Sequence, residues 1–150
     1  MKGSVLVLTA VLTGSVLTWS AVRANAPVGR YVVSAGTVYD VKTKLTWQQS
    51  VSPTVYQATD AAGYCSNLGA TLGGAGWRVP TIKELATLLD HSQSNGPWID
   101  RSAFPSTPLH MFWSSTPLSG SSAGPWVVDF ALGNISLPGM STSNNVRCVR

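Results

Sequence analysis

The chain has 150 residues, with ten lysines and arginines against six aspartates and glutamates and a mean hydropathy of +0.15. That length suits a single domain. The cations are scattered, which excludes the clustered Lys/Arg footprint of a nucleic-acid binder.

Residues 1–26 have the pattern of an export signal and are set aside from the fold. Lys2 gives a short positive start, Val5 to Val22 is largely apolar, and Ala24-Asn25-Ala26 has the small-x-small pattern of a cleavage site. Pro27 disfavours a cut directly before it, so cleavage after Ala24 is the alternative. The rival reading is a retained anchor, because the apolar run sits at the lower limit for spanning a bilayer. Membrane contact is then expected only through this segment. Either way the remainder is exported, to the periplasm, the cell surface or the medium. Residues 27–36 are expected to form a linker and residues 37–150 the folded domain. Eight basic and six acidic residues remain beyond residue 26, with five of the six tryptophans.

Thr37 to Gln48 alternates Leu45 and Trp47 with Lys44, Thr46 and Gln48, the period-two pattern of a half-buried strand in a β-hairpin. Lys42-Thr43-Lys44 is its solvated tip. Val55 to Leu68 places Ala58, Ala61, Ala62, Cys65 and Leu68 at helical spacing, which turns Cys65 inward. Gly69 and the run Gly73 to Gly76 are expected to end that helix. Trp77-Arg78-Val79 is extended, since position 79 precedes proline. Thr81-Ile82-Lys83-Glu84 matches a capping box and starts a short helix with Leu85, Leu88 and Leu89 inside, ending near Asp90. Residues 91–125 are irregular and rich in Ser, Pro and Gly. Trp126, Val128, Phe130 and Leu132 then alternate with Val127, Asp129 and Ala131 as a strand. Asn145 to Arg150 forms a last strand with Val146 and Cys148 on one face.

Cys65 and Cys148 are the only cysteines. In an oxidising compartment a lone pair most simply forms one disulfide. A catalytic thiol or metal ligation are the competing readings, and His91 and His110 lack motif context for either. Glu84 is the only glutamate, and its position in the capping box explains it without catalysis. No zinc, phosphate-loop, nucleophile-elbow or zinc-protease motif occurs. Neither a catalytic residue, nor a metal site, nor a cofactor is expected. Asn134-Ile135-Ser136 fits a glycosylation sequon, of a kind that arises often by chance. Trp47, Trp77 and Trp126 are expected in the core. Trp98 and Trp113 lie in the irregular region, where an aromatic either anchors the loop or faces a ligand. With them, Asp100, Arg101, Ser115, Asn144, Asn145 and Arg147 are the candidate ligand-binding residues by region and type.

The ordered set Val38-Tyr39-Asp40, Leu45-Thr46-Trp47-Gln48, Ala61-Ala62-x-Tyr64-Cys65, Gly76-Trp77-Arg78-Val79-Pro80-Thr81-x-x-Glu84-Leu85, Phe112-Trp113-Ser114-Ser115-Thr116, Trp126 to Phe130 and Val146 to Arg150 is similar to the Lcl C-terminal domain family. The resemblance covers residues 37–150. It implies an α+β, C-type-lectin-like fold with two helices, small antiparallel sheets and a long irregular loop region. It also implies a secreted or surface-exposed, adhesin-like binding module that recognises carbohydrate, including sulfated polysaccharide, or a surface protein. Lys44 stands where the family's hairpin usually has glycine, which implies a changed turn. The collagen-like stalk of the founding adhesin is absent, and the low net charge weakens any transfer of sulfated-glycan binding. The alternatives are a structural envelope component, a variable ligand-display scaffold, or an enzyme related to formylglycine-generating enzymes, whose segment around Trp77 to Glu84 is similar. That last chemistry depends on copper-binding cysteines.

Overall fold

A computed structural model describes residues 27–120, 124–138 and 143–150 as an α+β fold with two three-stranded antiparallel sheets. The expected export segment lies outside the described residues. In the first sheet β1 (Tyr31–Ser34), β2 (Thr37–Asp40) and β3 (Thr46–Gln48) are neighbours in chain order. Val38 pairs directly with Trp47 and both are fully buried, while Tyr39 on the other face is exposed. That is the alternation expected of the β2–β3 hairpin.

β1 falls within residues 27–36, so the expectation of a linker there is corrected. Ser34 pairs with Thr37, leaving a two-residue loop in which Ala35 and Gly36 have φ of 44° and 80°. Two successive positive φ values define the hairpin turn whose twist matches the strands, and only glycine takes them without cost. Arg30, just before β1, donates to the Asp40 carboxylate at 2.8 Å and to the Thr87 carbonyl at 2.8 Å. Burial opposes the Asp40 charge, but the hydrogen bond and charge of Arg30, with the Lys42 N–H and Thr43, together outweigh it and hold that carboxyl below its ordinary pKa. This added strand is therefore tied to both the hairpin and the helix beyond it.

Lys44 has φ of 64°. This is the left-handed region that glycine adopts freely, and here a lysine bears the steric cost.

Three short helices replace the two expected. α1 (Ala58–Asn67) starts at the first residue of the apolar spacing, three residues after Val55, and its buried residues are Ala61 and Cys65. Gly69 opens a further turn, α2 (Gly69–Leu72), and the chain leaves helix at Gly73, with φ of 70°. α3 (Ile82–Ala86) ends four residues before Asp90. Leu85 and Leu88 are buried as expected, and Leu89 packs partly buried against them.

The second sheet runs β4 (Met111–Trp113), β5 (Val127–Asp129) and β6 (Asn134–Ser136) in that order. β5 does not alternate: Val127, Val128 and Asp129 are all buried, whereas Leu132 is 69% exposed and Trp126 only partly buried. The physical reason is that β5 is covered on both faces. Val128 belongs to a cluster with Val38, Trp47, Leu85, Phe104, Phe112 and Phe130. Val127 belongs to a second cluster with Ala61, Cys65, Trp77, Trp113 and Cys148. Asp129 accepts from the backbone N–H groups of Ala131 and Leu132 at 2.8 and 3.2 Å, so the chain turns at 130–133 instead of extending.

The C-terminal segment is extended but makes only isolated bridges. Asn144 pairs with Tyr56, Asn145 with Phe112, and Val149 with both Trp47 and Arg78. Val146 and Cys148 enter the second cluster and Val149 the first, so this segment divides the two cores. The Cys65–Cys148 disulfide is formed, with Cα atoms 5.5 Å apart, and joins α1 to the last strand-like segment.

Candidate functional site

The candidate residues fall into two groups. Trp98 is partly buried, and Arg101 and Ser115 are exposed. Asp100, Trp113, Asn144, Asn145 and Arg147 are all 7% exposed or less. Their expected availability to a ligand is corrected, because each is spent inside the fold. The Asp100 carboxylate accepts from the N–H groups of Ser102 and Ala103. Trp113 packs in the second cluster and its indole donates to the Tyr56 carbonyl at 2.7 Å. Asn144 and Asn145 exchange backbone hydrogen bonds with Tyr56, Trp113 and Met111.

Arg147 is the most committed of these. It is fully buried, donates to the carbonyls of Gln48 and Gln49 and to Thr107 Oγ1, and lies 4.7 Å from the Phe104 ring centroid. Burial pulls its pKa down to about 9, which still leaves a cation at neutral pH. Carbonyl dipoles and a ring face compensate that charge. Arg147 clamps the end of β3 to the 104–107 turn.

The capping box is present. Thr81 Oγ1 accepts from the Glu84 N–H at 3.3 Å, and the Glu84 carboxylate accepts from the Thr81 N–H at 2.8 Å. Sequence reasoning did not pair Arg78 with it. Both terminal nitrogens of Arg78 donate to Glu84, at 2.8 and 2.7 Å. Those bonds, helped by Thr81 and opposed by partial burial, bring the Glu84 pKa down to about 2.

The open feature of this surface is a groove of about 910 Å³, within the range of small-ligand and peptide sites. One wall is α1, which presents Ala58 and Ala62. The floor is Trp77 and Val79, and the far wall carries Ser115, Pro117 and Leu118. Arg78 and Thr81 stand at the rim. Ala62 was expected inside but is exposed, because α1 turns only its Ala61–Cys65 stripe to the core. Small side chains on that flank leave the groove open. Of the expected ligand residues, only Ser115 lines it. Nothing in the sequence distinguishes a small residue that fills a helix interface from one that leaves space. Among the described residues, no group of three or more His, Cys, Asp or Glu is placed to hold a metal ion.

The described residues thus form an α+β fold with the Cys65–Cys148 disulfide and a wide groove beside α1. Residues 36–150 match the model of the Lcl C-terminal domain, and the chain belongs to that family. Membership points to a surface- or adhesin-related module, and the disulfide is consistent with an extracellular location. No curated protein matches the chain.

Proposed function

We propose that the chain is an exported, non-catalytic binding module of C-type-lectin-like type that takes a surface ligand in the groove between α1 and residues 114–118. The lectin-like assignment draws support from the first sheet meeting the C-terminal segment and from the long loop region leading into a second small sheet. The observation that carries the binding reading is the groove itself. Its lining favours an uncharged, partly apolar ligand, and so a surface protein over a sulfated polysaccharide. Among the described residues Arg78 is the only charged one lining it, and Glu84 already neutralises that side chain. A catalytic reading finds little support in the side chains. Both cysteines are joined, and the single glutamate holds a helix start and Arg78.

The test is a glycan array probed with oxidised protein from Pro27 onward, at low and physiological salt, beside a variant with Ala62→Trp to fill the groove. The expected result is no salt-sensitive retention of sulfated glycans. Retention that fades with salt would replace this reading with anionic-polysaccharide binding. Salt-insensitive retention of a neutral sugar, lost in Ala62→Trp, would keep the groove and change the ligand class.

A further inference from the structure

The segment Trp77-Arg78-Val79 is extended and pairs on one edge only. Arg78 gives its N–H to the Val149 carbonyl and accepts the Val149 N–H, both at 2.9 Å. Successive residues of an extended chain point their backbone groups to opposite edges. Trp77 and Val79 therefore present theirs to the other side. Neither uses its backbone N–H or C=O in a hydrogen bond with any described residue. Yet the two residues are 5% and 9% exposed, their side chains sit in the second core cluster, and both line the groove. Buried backbone groups in native folds almost always have partners. Two residues on either side of Arg78, with four uncommitted groups beside an open groove, form an edge built to be paired.

We infer that this edge takes an extended, uncharged peptide segment of a partner protein by β-strand addition, residues 77 and 79 each exchanging hydrogen bonds with alternate residues of the peptide. The inference rests on the groove being the binding site. Three features narrow the occupant. The next residue in that alternation, Thr81, already gives its N–H to the Glu84 carboxylate at 2.8 Å and its carbonyl accepts the Leu85 N–H at 2.9 Å, so the edge stops there and the pairing is short. Side chains of strand residues paired with Trp77 and Val79 lie on the same face as theirs, the side of α1, where Ala58 and Ala62 leave room for apolar groups. Charge completes the match: with Arg78 neutralised by Glu84, an acidic or basic segment has no counter-charge on the lining. Main-chain pairing supplies affinity in this mode, and pockets for alternate side chains supply specificity.

The experiment screens the oxidised protein against a synthetic array of random heptapeptides, charged sequences included, and takes the best binder forward. Uncharged sequences with apolar residues at alternate positions are expected. Hydrogen exchange at the Trp77 and Val79 amides should slow on saturation with that peptide, with Arg78 unchanged because it is already paired. Methylating the peptide's backbone nitrogens one at a time should weaken binding about tenfold at alternate positions, and hardly at all between them. No binder from the array, or a binder that leaves exchange at Trp77 and Val79 unaltered, overturns the inference. Ala62→Trp separates this from the groove reading. Binding lost in that variant, with the two amides unprotected in the wild-type complex, sinks only the strand pairing; binding retained sinks the groove as well. Should Ala62→Trp melt abnormally, Ser115→Arg on the opposite wall makes the same comparison.

Discussion

The C-terminal segment and the groove floor are both extended chain beside the same disulfide, and they spend their polar groups in opposite ways. From Asn144 to Val149 every residue is buried, and the charge of Arg147 is compensated by groups far away in the chain. From Trp77 to Val79 the two outer side chains are also buried and Arg78 between them is exposed, but half of the backbone edge is left unpaired. Polar side-chain chemistry therefore marks the structural region here, and uncommitted backbone marks the candidate site. Residue type alone would assign the two roles the other way round.

The difference can be broken experimentally, beginning with the structural side. Replacing Cys65 and Cys148 by serine opens a link across a sequence separation of 83 residues and is expected to cost about 4 to 5 kcal/mol in the chain-entropy model. Equal thermal stability with and without reductant in the wild-type protein would contradict this. Arg147→Ala leaves the Gln48 and Gln49 carbonyls and Thr107 without their donor in a closed interior. A loss of about 3 kcal/mol is expected in urea denaturation, with groove binding unchanged wherever the variant remains folded. A variant as stable as wild type but unable to bind would return Arg147 to the ligand site.

Glu84→Ala removes a cap at the groove rim and should cost about 1 kcal/mol, discounted from larger electrostatic figures because the Arg78–Glu84 pair is partly solvated. The pH dependence has a definite sign. The Glu84 pKa is depressed from its ordinary value to about 2. Its contribution is therefore complete above about pH 4.5 and is lost as the pH falls toward 2. Denaturation between pH 5 and 2 should show a decline that Glu84→Ala lacks. The smallest effect is a gain: Lys44→Gly relieves a left-handed lysine and should stabilise by up to about 1 kcal/mol. A loss on that substitution would mean that the lysine side chain does something the turn does not require.

The features legible in the sequence were those decided within a few residues of one another. The capping box at Thr81 and Glu84 closes within a single turn. The β2–β3 hairpin follows from the alternation around Leu45 and Trp47, and the inward turn of Cys65 from helical spacing. The disulfide needed only the export pattern and the absence of any other cysteine. The ordered motifs carried the family.

What only the tertiary structure decided depended on partners distant in the chain. β1 looked like a linker because its strand character comes from pairing with β2 and from Arg30 reaching Asp40 and Thr87. β5 lost its alternation because both of its faces meet a core. Arg147 became structural through acceptors 40 to 99 positions away, at Thr107 and Gln48. The groove has no signature in residue type, since it arises where the small side chains of Ala58 and Ala62 leave space and where Trp77 and Val79 lack a second strand. Local sequence determines which hydrogen bonds can close nearby; which groups remain open is known only once every other segment has taken its place.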